Sequence, residues 1–332
     1  MSDKKRAPRN RTLTLSAQEH RMQLEKSIQC PSELTDIEDV VNQTILGDSM
    51  EVIKLIPDES FDLIILDPPY NLTKDFNGFK FKNRSDALYL DYLRSWFPEV
   101  VRTLKQTGSL YLCGDWKCTS ALQAVMSENL EVLNRITWQR EKGRGAKSNW
   151  KNAMEDIWFG VKQKSKYYFD VDSVKQKRKV IAPYRVNGKP KDWDETEDGN
   201  FRLTFPSNFW DDISIPYWSM PENTDHPTQK PEKLIAKLIL ASCPKDGIVF
   251  DPFLGSGTTS VVAKKLGRRY VGIEMNEEYA AWANKRLELA EDAPLIQGYS
   301  DGVFWERNSL AAQKASKKSL KNSSSEHLEL FQ

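Results

Sequence analysis

The sequence is poor in cysteine and histidine and has no long apolar run. Its 332 residues include 4 cysteines and 3 histidines, and no two cysteines form a Cys-x-x-Cys pair. Such pairs are the usual framework of a zinc site, so the sequence predicts no metal site, and scattered thiols favour a reducing cytoplasm. Apolar runs are as short as Leu63–Leu66, against the roughly 20 residues of a membrane-spanning helix. The charged start lacks the apolar core of a secretory signal.

The net charge of the chain is close to zero, but the charged residues are unevenly distributed. The chain has 48 Lys and Arg against 47 Asp and Glu, a net charge of +1. Residues 140–191 hold 15 basic and 5 acidic residues, whereas residues 192–225 hold 9 acidic residues and one arginine. A basic block in a neutral protein is typical of a polyanion-binding face, since cations that meet phosphates release counterions. A well-solvated surface insertion fits the charge pattern equally well.

Short apolar strands alternate with amphipathic helices over most of the chain. This alternation predicts an α/β fold with a doubly wound, mostly parallel sheet covered by helices on both faces. The predicted strands are Thr44–Leu46, Phe61–Leu66, Ser109–Cys113, Leu133–Gln139, Asp156–Val161, Ile248–Asp251 and Arg269–Glu274, and the predicted helices are Met50–Ile56, Leu88–Leu104, Thr119–Asn129, Pro231–Ala241, Thr258–Lys265 and Asn276–Ala290.

Composition divides the chain into five stretches. Residues 1–40 are polar, with a weak helical pattern near Leu13–Ser27, and are predicted to be a partly disordered arm. Residues 41–163 and 224–308 carry the strand–helix alternation, and residues 164–223 interrupt it with the change of charge, as an inserted module would. Residues 309–332 are rich in Lys and Ser and are predicted to be a disordered tail.

The first motif that carries chemistry is Asp67-Pro68-Pro69-Tyr70, directly after the strand Phe61–Leu66. The two prolines must end that strand, because neither can donate to the sheet, and they hold the neighbouring groups rigidly. A carboxylate, a fixed carbonyl and an aromatic ring suit a planar group that bears an NH2, at the edge where open α/β sheets bind ligands. The alternative is a strand-ending turn with a capping aspartate.

The second motif is a strand, a glycine-containing turn and a helix over residues 248–265. Glycines let the backbone approach a ligand closely, and an acid about 20 residues further on can bind ribose hydroxyls. Glu274 stands 23 residues after Asp251 and ends the next predicted strand. Ser260 replaces the third glycine of a dinucleotide fingerprint, so the turn favours a nucleoside without phosphates over a pyrophosphate.

Together, the two motifs resemble those of the S-adenosylmethionine-dependent DNA methyltransferases that methylate amino groups. Residues Asp67–Tyr70 resemble the catalytic tetrad of that family, and Asp251-Pro252-Phe253-x-Gly255-x-Gly257 resembles its cofactor loop. The resemblance extends to Gly47-Asp48 and to His226–Pro231, and covers roughly residues 44–163 and 224–290. The catalytic motif precedes the cofactor loop, which is the order of the permuted β group. In that group the variable block between the motifs is the target-recognition domain.

The resemblance implies a Rossmann-like class I methyltransferase core with a catalytic half (41–163), a target-recognition insertion (164–223) and a cofactor-binding half (224–308). It implies S-adenosylmethionine as the cofactor without a metal, and Asp67, Pro68, Pro69 and Tyr70 as catalytic residues. The cofactor residues would be Asp48, Thr228, Lys230, Asp251, Phe253, Gly255, Gly257, Thr258 and Glu274, with Glu274 at the ribose and with Thr228 and Lys230 at the methionine carboxylate.

The implied partner is double-stranded DNA, in a prokaryotic cytoplasm at the nucleoid. A cognate restriction endonuclease and a homodimer are the further partners that the resemblance allows. The cations expected to contact DNA are Lys142, Arg144, Lys147, Lys177, Arg178 and Lys179.

The sequence also bears on which base is methylated. Methylation at cytosine carbon-5 needs a Cys nucleophile, which carbon-5 methyltransferases carry in a Pro-Cys pair, and only the reverse order occurs here, at Cys30-Pro31 and Cys243-Pro244. An initial Asp in the tetrad favours adenine-N6, whereas cytosine-N4 enzymes usually begin with Ser, so cytosine-N4 is the alternative. A non-catalytic nucleic-acid-binding protein with a degenerate methyltransferase fold, and an RNA or protein amide methyltransferase, are the rival classes.

Overall fold

A nine-stranded sheet with helices on both faces forms the core of the protein. The computed structural model describes residues 7–76, 79–140, 148–181, 183–196 and 199–306. The strands are β1 (Ile28–Gln29), β2 (Gln43–Leu46), β3 (Phe61–Leu66), β4 (Lys74–Phe76), β5 (Phe79–Phe81), β6 (Leu104–Gly114), β7 (Glu131–Gln139), β8 (Met154–Val161), β9 (Gln176–Lys179), β10 (Arg185–Val186), β11 (Lys189–Pro190), β12 (Asp194–Thr196), β13 (Gly199–Thr204), β14 (Phe209–Trp210), β15 (Ile248–Asp251), β16 (Arg269–Glu274), β17 (Tyr299–Ser300) and β18 (Val303–Trp305).

Four of the described helices begin at capping residues that the sequence carries. Ser16, Asp48, Ser85 and Asn276 each accept a hydrogen bond from a backbone N–H of the helix that follows, which satisfies donors left free at a helix start. The helices are α1 (Ala17–Leu24), α2 (Ser49–Leu55), α3 (Asp86–Arg94), α4 (Phe97–Thr103), α5 (Thr119–Asn129), α6 (Glu232–Ser242), α7 (Thr258–Lys265) and α8 (Glu277–Asp292).

The main sheet is mostly parallel, as the sequence predicts. Its order is β1-β2-β16-β15-β3-β6-β8-β7-β14, and only the pairs that involve β8 are antiparallel. The position of strand β3 between two layers of helices explains why its sequence is an apolar run. Ile64 and Leu66 pack on one face with residues of α2 to α5, and Leu63 and Ile65 pack on the other face with residues of α6 and α7. Both faces are therefore buried, and the predicted doubly wound α/β fold is confirmed.

One predicted helix is wrong. The apolar spacing over Leu88–Leu104 predicts a single helix, whereas the structure has two, α3 and α4, with Ser95 and Trp96 between them. Pro98 lies in the first turn of α4. A proline inside a helix removes a hydrogen bond and clashes with the preceding turn, but it fits a first turn without cost.

The described part of the N-terminal stretch belongs to the core. Helix α1 packs on α8, where Asn284 Nδ2 donates to the carbonyl of Gln23 and to Ser27 Oγ, each at 2.8 Å. Strand β1 then pairs with β2 and forms one edge of the main sheet. The sequence predicts a partly disordered arm here. The buried polar contacts of Gln23 and Asn284 order these residues instead.

The inserted module and the end of the described chain share a five-stranded sheet. Its order is β12-β13-β9-β18-β17, so β17 and β18, which lie at the end of the predicted cofactor half, pair beside β9 of the insertion. Phe304 and Trp305 of β18 are buried, and this apolar surface accounts for the pairing. Strand β14 of the insertion instead extends the main sheet beside β7. Within the described residues, no helix has the length and apolarity to cross a membrane.

Candidate active site

Four neighbouring parallel strands end beside one cavity. Strands β2, β16, β15 and β3 are adjacent and parallel, so their carboxyl ends meet at one edge of the sheet, called here the carboxyl edge. Asp48, Glu274, Asp251 and Asp67 stand at or just after these ends, and all four line a cavity of about 580 Å³. The two motifs, 184 residues apart between Asp67 and Asp251, therefore share one site, as expected at this edge of an α/β sheet.

The tetrad Asp67–Tyr70 forms one wall of the cavity. The hydroxyl of Tyr70 donates to Asp67 Oδ1 at 2.8 Å, and the hydroxyl of Tyr89 donates to the Pro69 carbonyl at 3.1 Å. Burial raises the pKa of Tyr70 well above its ordinary value, and the nearby carboxylates of Asp67 and Glu155 raise it further. Tyr70 is therefore protonated and acts only as a hydrogen-bond donor towards the carboxylates.

Lys230 lies at the tetrad. Its ammonium is 2.7 Å from Asp67 Oδ2 and 3.3 Å from Glu155 Oε2, and it donates to the hydroxyl of Tyr70 at 3.1 Å. Burial alone would lower the pKa of Lys230, but the carboxylates of Asp67 and Glu155 raise it above its ordinary value. The sequence assigns Lys230 to a carboxylate of the cofactor, whereas the structure places its charge on the carboxylate of Asp67.

The glycine turn between β15 and α7 brings backbone close to its neighbours. Gly255 and Gly257 have φ values of +56° and +85°, a left-handed conformation that glycine adopts without strain. A Cβ at Gly255 would lie 3.0 Å from His226 Nε2, and one at Gly257 would lie 2.6 Å from the Cβ of Ala283. The left-handed conformation favours glycine at both positions, and at Gly257 the contact with Ala283 also excludes a side chain.

The acids Asp251 and Glu274 flank the glycine turn and are held by hydrogen bonds. Asp251 accepts from Thr259 Oγ1 at 2.6 Å and from the Phe253 N–H at 3.0 Å. Glu274 accepts from the Gly255 N–H at 2.7 Å. Burial raises the pKa of Asp251 to about 7 and the pKa of Glu274 to about 7. Each is thus a buried carboxyl group that titrates near neutral pH.

The remaining predicted cofactor residues also line this cavity. Asp48 caps α2 by accepting from the Met50 N–H at 2.8 Å. The ring of Phe253 packs against Trp96 at 5.3 Å between centroids. The predicted cofactor residues that line the cavity are Asp48, Thr228, Lys230, Asp251, Phe253, Gly255, Thr258 and Glu274, while Gly257 packs behind it on Ala283.

Sequence reasoning missed Glu155 and Arg140, which complete the site. Glu155 is only 4% exposed, and Arg140 NH1 donates to its Oε1 at 2.7 Å. Arg140 lines the cavity beside the tetrad. One signal was present in the sequence, because the acidic pair Glu155-Asp156 opens the apolar strand Met154–Val161. A carboxylate at the start of a buried strand rarely lacks a cation or a hydrogen-bond donor as a partner.

Half of the cations expected to contact DNA lie outside the described residues. These are Lys142, Arg144 and Lys147. Of the others, Lys177 places its ammonium 4.6 Å from the centre of the Trp305 ring. Arg178 lies 3.6 Å from Glu306, and Lys179 is exposed. Of these three strand residues, only Lys179 is exposed, while Lys177 and Arg178 contact Trp305 and Glu306 near the end of the described chain.

Comparison with known proteins adds independent information. The sequence profile of the DNA methylase family, which comprises N6 and N4 methyltransferases, matches residues 61–285. The chain is 35% identical over 252 residues to the DNA adenine methyltransferase YhdJ of Escherichia coli strain K12, covering 74% of this chain and 82% of that protein. It is 34% identical over 246 residues to the type II methyltransferase M.HpaI of Haemophilus parainfluenzae, covering 74% of this chain and 73% of that protein.

Solved structures share the fold. A complex of M1.HpyAVI with SAM aligns with a TM-score of 0.50 at 27% identity, covering 74% of this chain and 99% of that chain. The cytosine-N4-specific PvuII DNA methyltransferase aligns with a TM-score of 0.57 at 21% identity, covering 78% of this chain and 88% of that chain. At that identity the likeness concerns the fold alone.

Proposed function

Because the chain belongs to the family of amino-methylating DNA methylases, we propose that it transfers a methyl group from S-adenosylmethionine to N6 of an adenine in duplex DNA. The observation that carries this proposal is the shared cavity, in which the tetrad and the acid-flanked glycine turn face one space. A donor and an acceptor that bind to the two walls would meet there. No second site is needed for the transfer.

The residues of the glycine turn fit the proposed cofactor. Glu274 offers carboxylate oxygens to ribose hydroxyls, and the aromatic ring of Phe253 together with Asp48 suits an adenine. Gly255 lines the cavity with backbone alone, which allows close approach of a nucleoside, and Gly257 supports the turn from behind through its contact with Ala283. Thr228 and Thr258, which line the cavity, are proposed for the methionine end of the cofactor.

The tetrad residues would act on the target amine. S-adenosylmethionine supplies an electrophilic methyl group when it is bound. Asp67 and the carbonyl of Pro68 would accept the two N–H groups of the amine and so direct its lone pair at that methyl. As the methyl group passes from sulfur, which keeps the electron pair of the broken S–C bond, to the amine nitrogen, Asp67 would take the proton that the methylated amine loses and release it to water.

The amine of a paired base lies inside the duplex, so the base must be extruded first. Tyr70 offers a stacking surface in the cavity, and base–aromatic stacking contributes about 1–3 kcal/mol. The initial Asp of the tetrad and the adenine-specific relative YhdJ support adenine over cytosine. The DNA contacts proposed for the basic block, with Lys142, Arg144, Lys147 and Lys177–Lys179, follow from its charge.

Further partners are part of the proposal. Relatives named type II methyltransferases support a cognate restriction endonuclease. A homodimer is proposed from the family resemblance alone, and light scattering of the purified protein would test it. A DNA substrate further supports a cytoplasmic protein at the nucleoid.

The proposal is tested by offering methyl-labelled S-adenosylmethionine with duplex DNA, RNA or protein. We expect label in DNA only, and N6-methyladenine after digestion to nucleosides. Asp67→Ala should abolish the transfer and leave the cofactor dissociation constant within about tenfold, because the carboxylate acts on the amine. Detection of N4-methylcytosine would show that cytosine, and not adenine, is the target. Label in RNA or protein would show that DNA is not the substrate. If Asp67→Ala retained more than about a tenth of the wild-type transfer, Asp67 would not have its proposed role.

A further inference from the structure

Glu155 is a buried carboxylate at the tetrad to which the proposed transfer gives no task. It stands on β8, the antiparallel strand beside β6, and it is 4% exposed. Both of its oxygens are engaged. Arg140 NH1 donates to Oε1 at 2.7 Å, and Oε2 receives the Tyr70 hydroxyl at 3.3 Å and faces the Lys230 ammonium at 3.3 Å. Taking a carboxylate out of water is costly unless such partners compensate it.

The charges at the tetrad form an alternating row. Arg140 pairs with Glu155, Glu155 with Lys230, and Lys230 with Asp67. Two cations thus balance two carboxylates, with the Tyr70 hydroxyl touching three of the four groups. Lys230 is the shared member, because its ammonium reaches both carboxylates at once.

This arrangement conflicts with the first step of the transfer. Asp67 must offer an oxygen to the target amine, yet Oδ2 holds Lys230 at 2.7 Å and Oδ1 holds the Tyr70 hydroxyl at 2.8 Å. The ammonium of Lys230 is itself an N–H donor at the distance of a charge-assisted hydrogen bond. It therefore competes with an incoming amine for Asp67 Oδ2, and its withdrawal would leave that oxygen open to the amine.

We propose that Glu155 is a positioning residue, which receives the ammonium of Lys230 when the target amine replaces it on Asp67. The inference rests on the proposed function, because it concerns the same transfer. The required shift is small, since Glu155 Oε2 already lies 3.3 Å from the Lys230 ammonium. Arg140 holds the opposite oxygen of Glu155 and so keeps the carboxylate in place. Without Glu155, Lys230 could leave Asp67 only as a buried and unpaired charge.

The proposal requires a specific coupling between Glu155 and Lys230. Loss of Glu155 alone should trap Lys230 on Asp67 and slow the transfer. Loss of both residues should free Asp67 again and restore part of the rate. A residue that merely stabilises the fold would show the opposite, with the second substitution adding to the first loss.

The experiment measures single-turnover methyl transfer with cofactor and duplex DNA both saturating. Glu155→Gln should lower the rate by about 30- to 100-fold, while the dissociation constants of cofactor and DNA stay within about threefold. The double variant Glu155→Gln/Lys230→Met should be at least about tenfold faster than Glu155→Gln. Glu131→Gln is the matched control, because Glu131 is exposed at the far end of β7, and it should equal the wild type.

The following results would overturn the inference about Glu155. A Glu155→Gln rate within about threefold of wild type removes Glu155 from the step, and a double variant no faster than Glu155→Gln makes its role structural. Should Glu155→Gln fail to fold, Glu155→Asp keeps the charge but withdraws it from Lys230, and unchanged transfer by that variant would also overturn the inference. Failure of the wild type to methylate DNA would instead refute the proposed function.

Discussion

Gly257 lies directly against Ala283, so that a Cβ on the glycine would come within 2.6 Å of the alanine Cβ. The glycine starts α7 in a left-handed conformation, and Ala283 stands in the middle of α8. This contact fixes the distance between the two helices behind the glycine turn. The turn is therefore shaped by packing beneath it as much as by its own sequence.

The first prediction concerns this contact. Gly257→Ala should lower the free energy of unfolding by about 2–4 kcal/mol, since overpacking adds to the strain of a left-handed alanine. Gly267→Ala is the control, because Gly267 also has positive φ, at +67°, but has open space around its Cβ position. Denaturant unfolding of both variants separates the two costs. Equal losses in the two variants would show that the Ala283 contact has no weight.

The second prediction concerns Glu274. Glu274→Ala should raise the cofactor dissociation constant by roughly ten- to a hundredfold, because hydrogen bonds to a charged group contribute about 1.5–3 kcal/mol. DNA affinity should change little. Calorimetry of cofactor binding checks this, with the exposed Glu277→Ala as the control. An unchanged dissociation constant for Glu274→Ala would remove the ribose assignment.

The third prediction concerns pH. Burial raises the pKa of Asp251 in the folded protein to about 7, above its value in the unfolded chain. The folded state therefore binds the proton more tightly, so this contribution to stability is present at low pH and is lost as pH rises from the ordinary value of 3.8 to about 7. Asp251→Asn lacks the ionisable group and should gain stability relative to wild type over the same interval, by about 1.4 kcal/mol for each unit of pKa difference.

Denaturant unfolding at pH 5, 6, 7 and 8 measures that difference. The advantage of Asp251→Asn should grow from pH 5 to pH 7 and level off above it. The exposed Asp292→Asn should give a flat difference. A constant gap between wild type and Asp251→Asn across this range would show that the Asp251 carboxyl does not titrate there.

The fourth prediction concerns the basic stretch after β7. Replacing Lys142, Arg144 and Lys147 with alanine should weaken binding to specific and nonspecific DNA alike, because phosphate contacts are insensitive to sequence. The slope of log K against log salt should become shallower by roughly 2–3 units. Titrations at several salt concentrations check this. An unaltered slope would move the DNA face elsewhere, and the next candidates are the N-terminal cations Lys4, Lys5, Arg6, Arg9 and Arg11.

Local sequence was sufficient for the elements that carry the two motifs. Phe61–Leu66, Ile248–Asp251 and Thr258–Lys265 match the structure residue for residue, because buried apolar runs are bounded by prolines or glycines that cannot continue them. Periodicity failed at Leu88–Leu104, where helical spacing continues across a break. Pro98 was the local signal there, and it outweighs the spacing because it excludes a continuous hydrogen-bond ladder.

The order of the strands in the sheet could not be predicted from the sequence. The full set of residues in the site depends on that order and could not be predicted either. Residues of one strand are specified by their own pattern, whereas neighbours in a sheet are chosen by packing over the whole chain. The sequence by itself determined that Asp67 ends a strand and that Gly255 and Gly257 make a turn. Only the tertiary structure decided that Lys230 meets Asp67 across 163 residues and that Glu155 meets Tyr70 across 85, because contacts so distant in the chain leave no local trace.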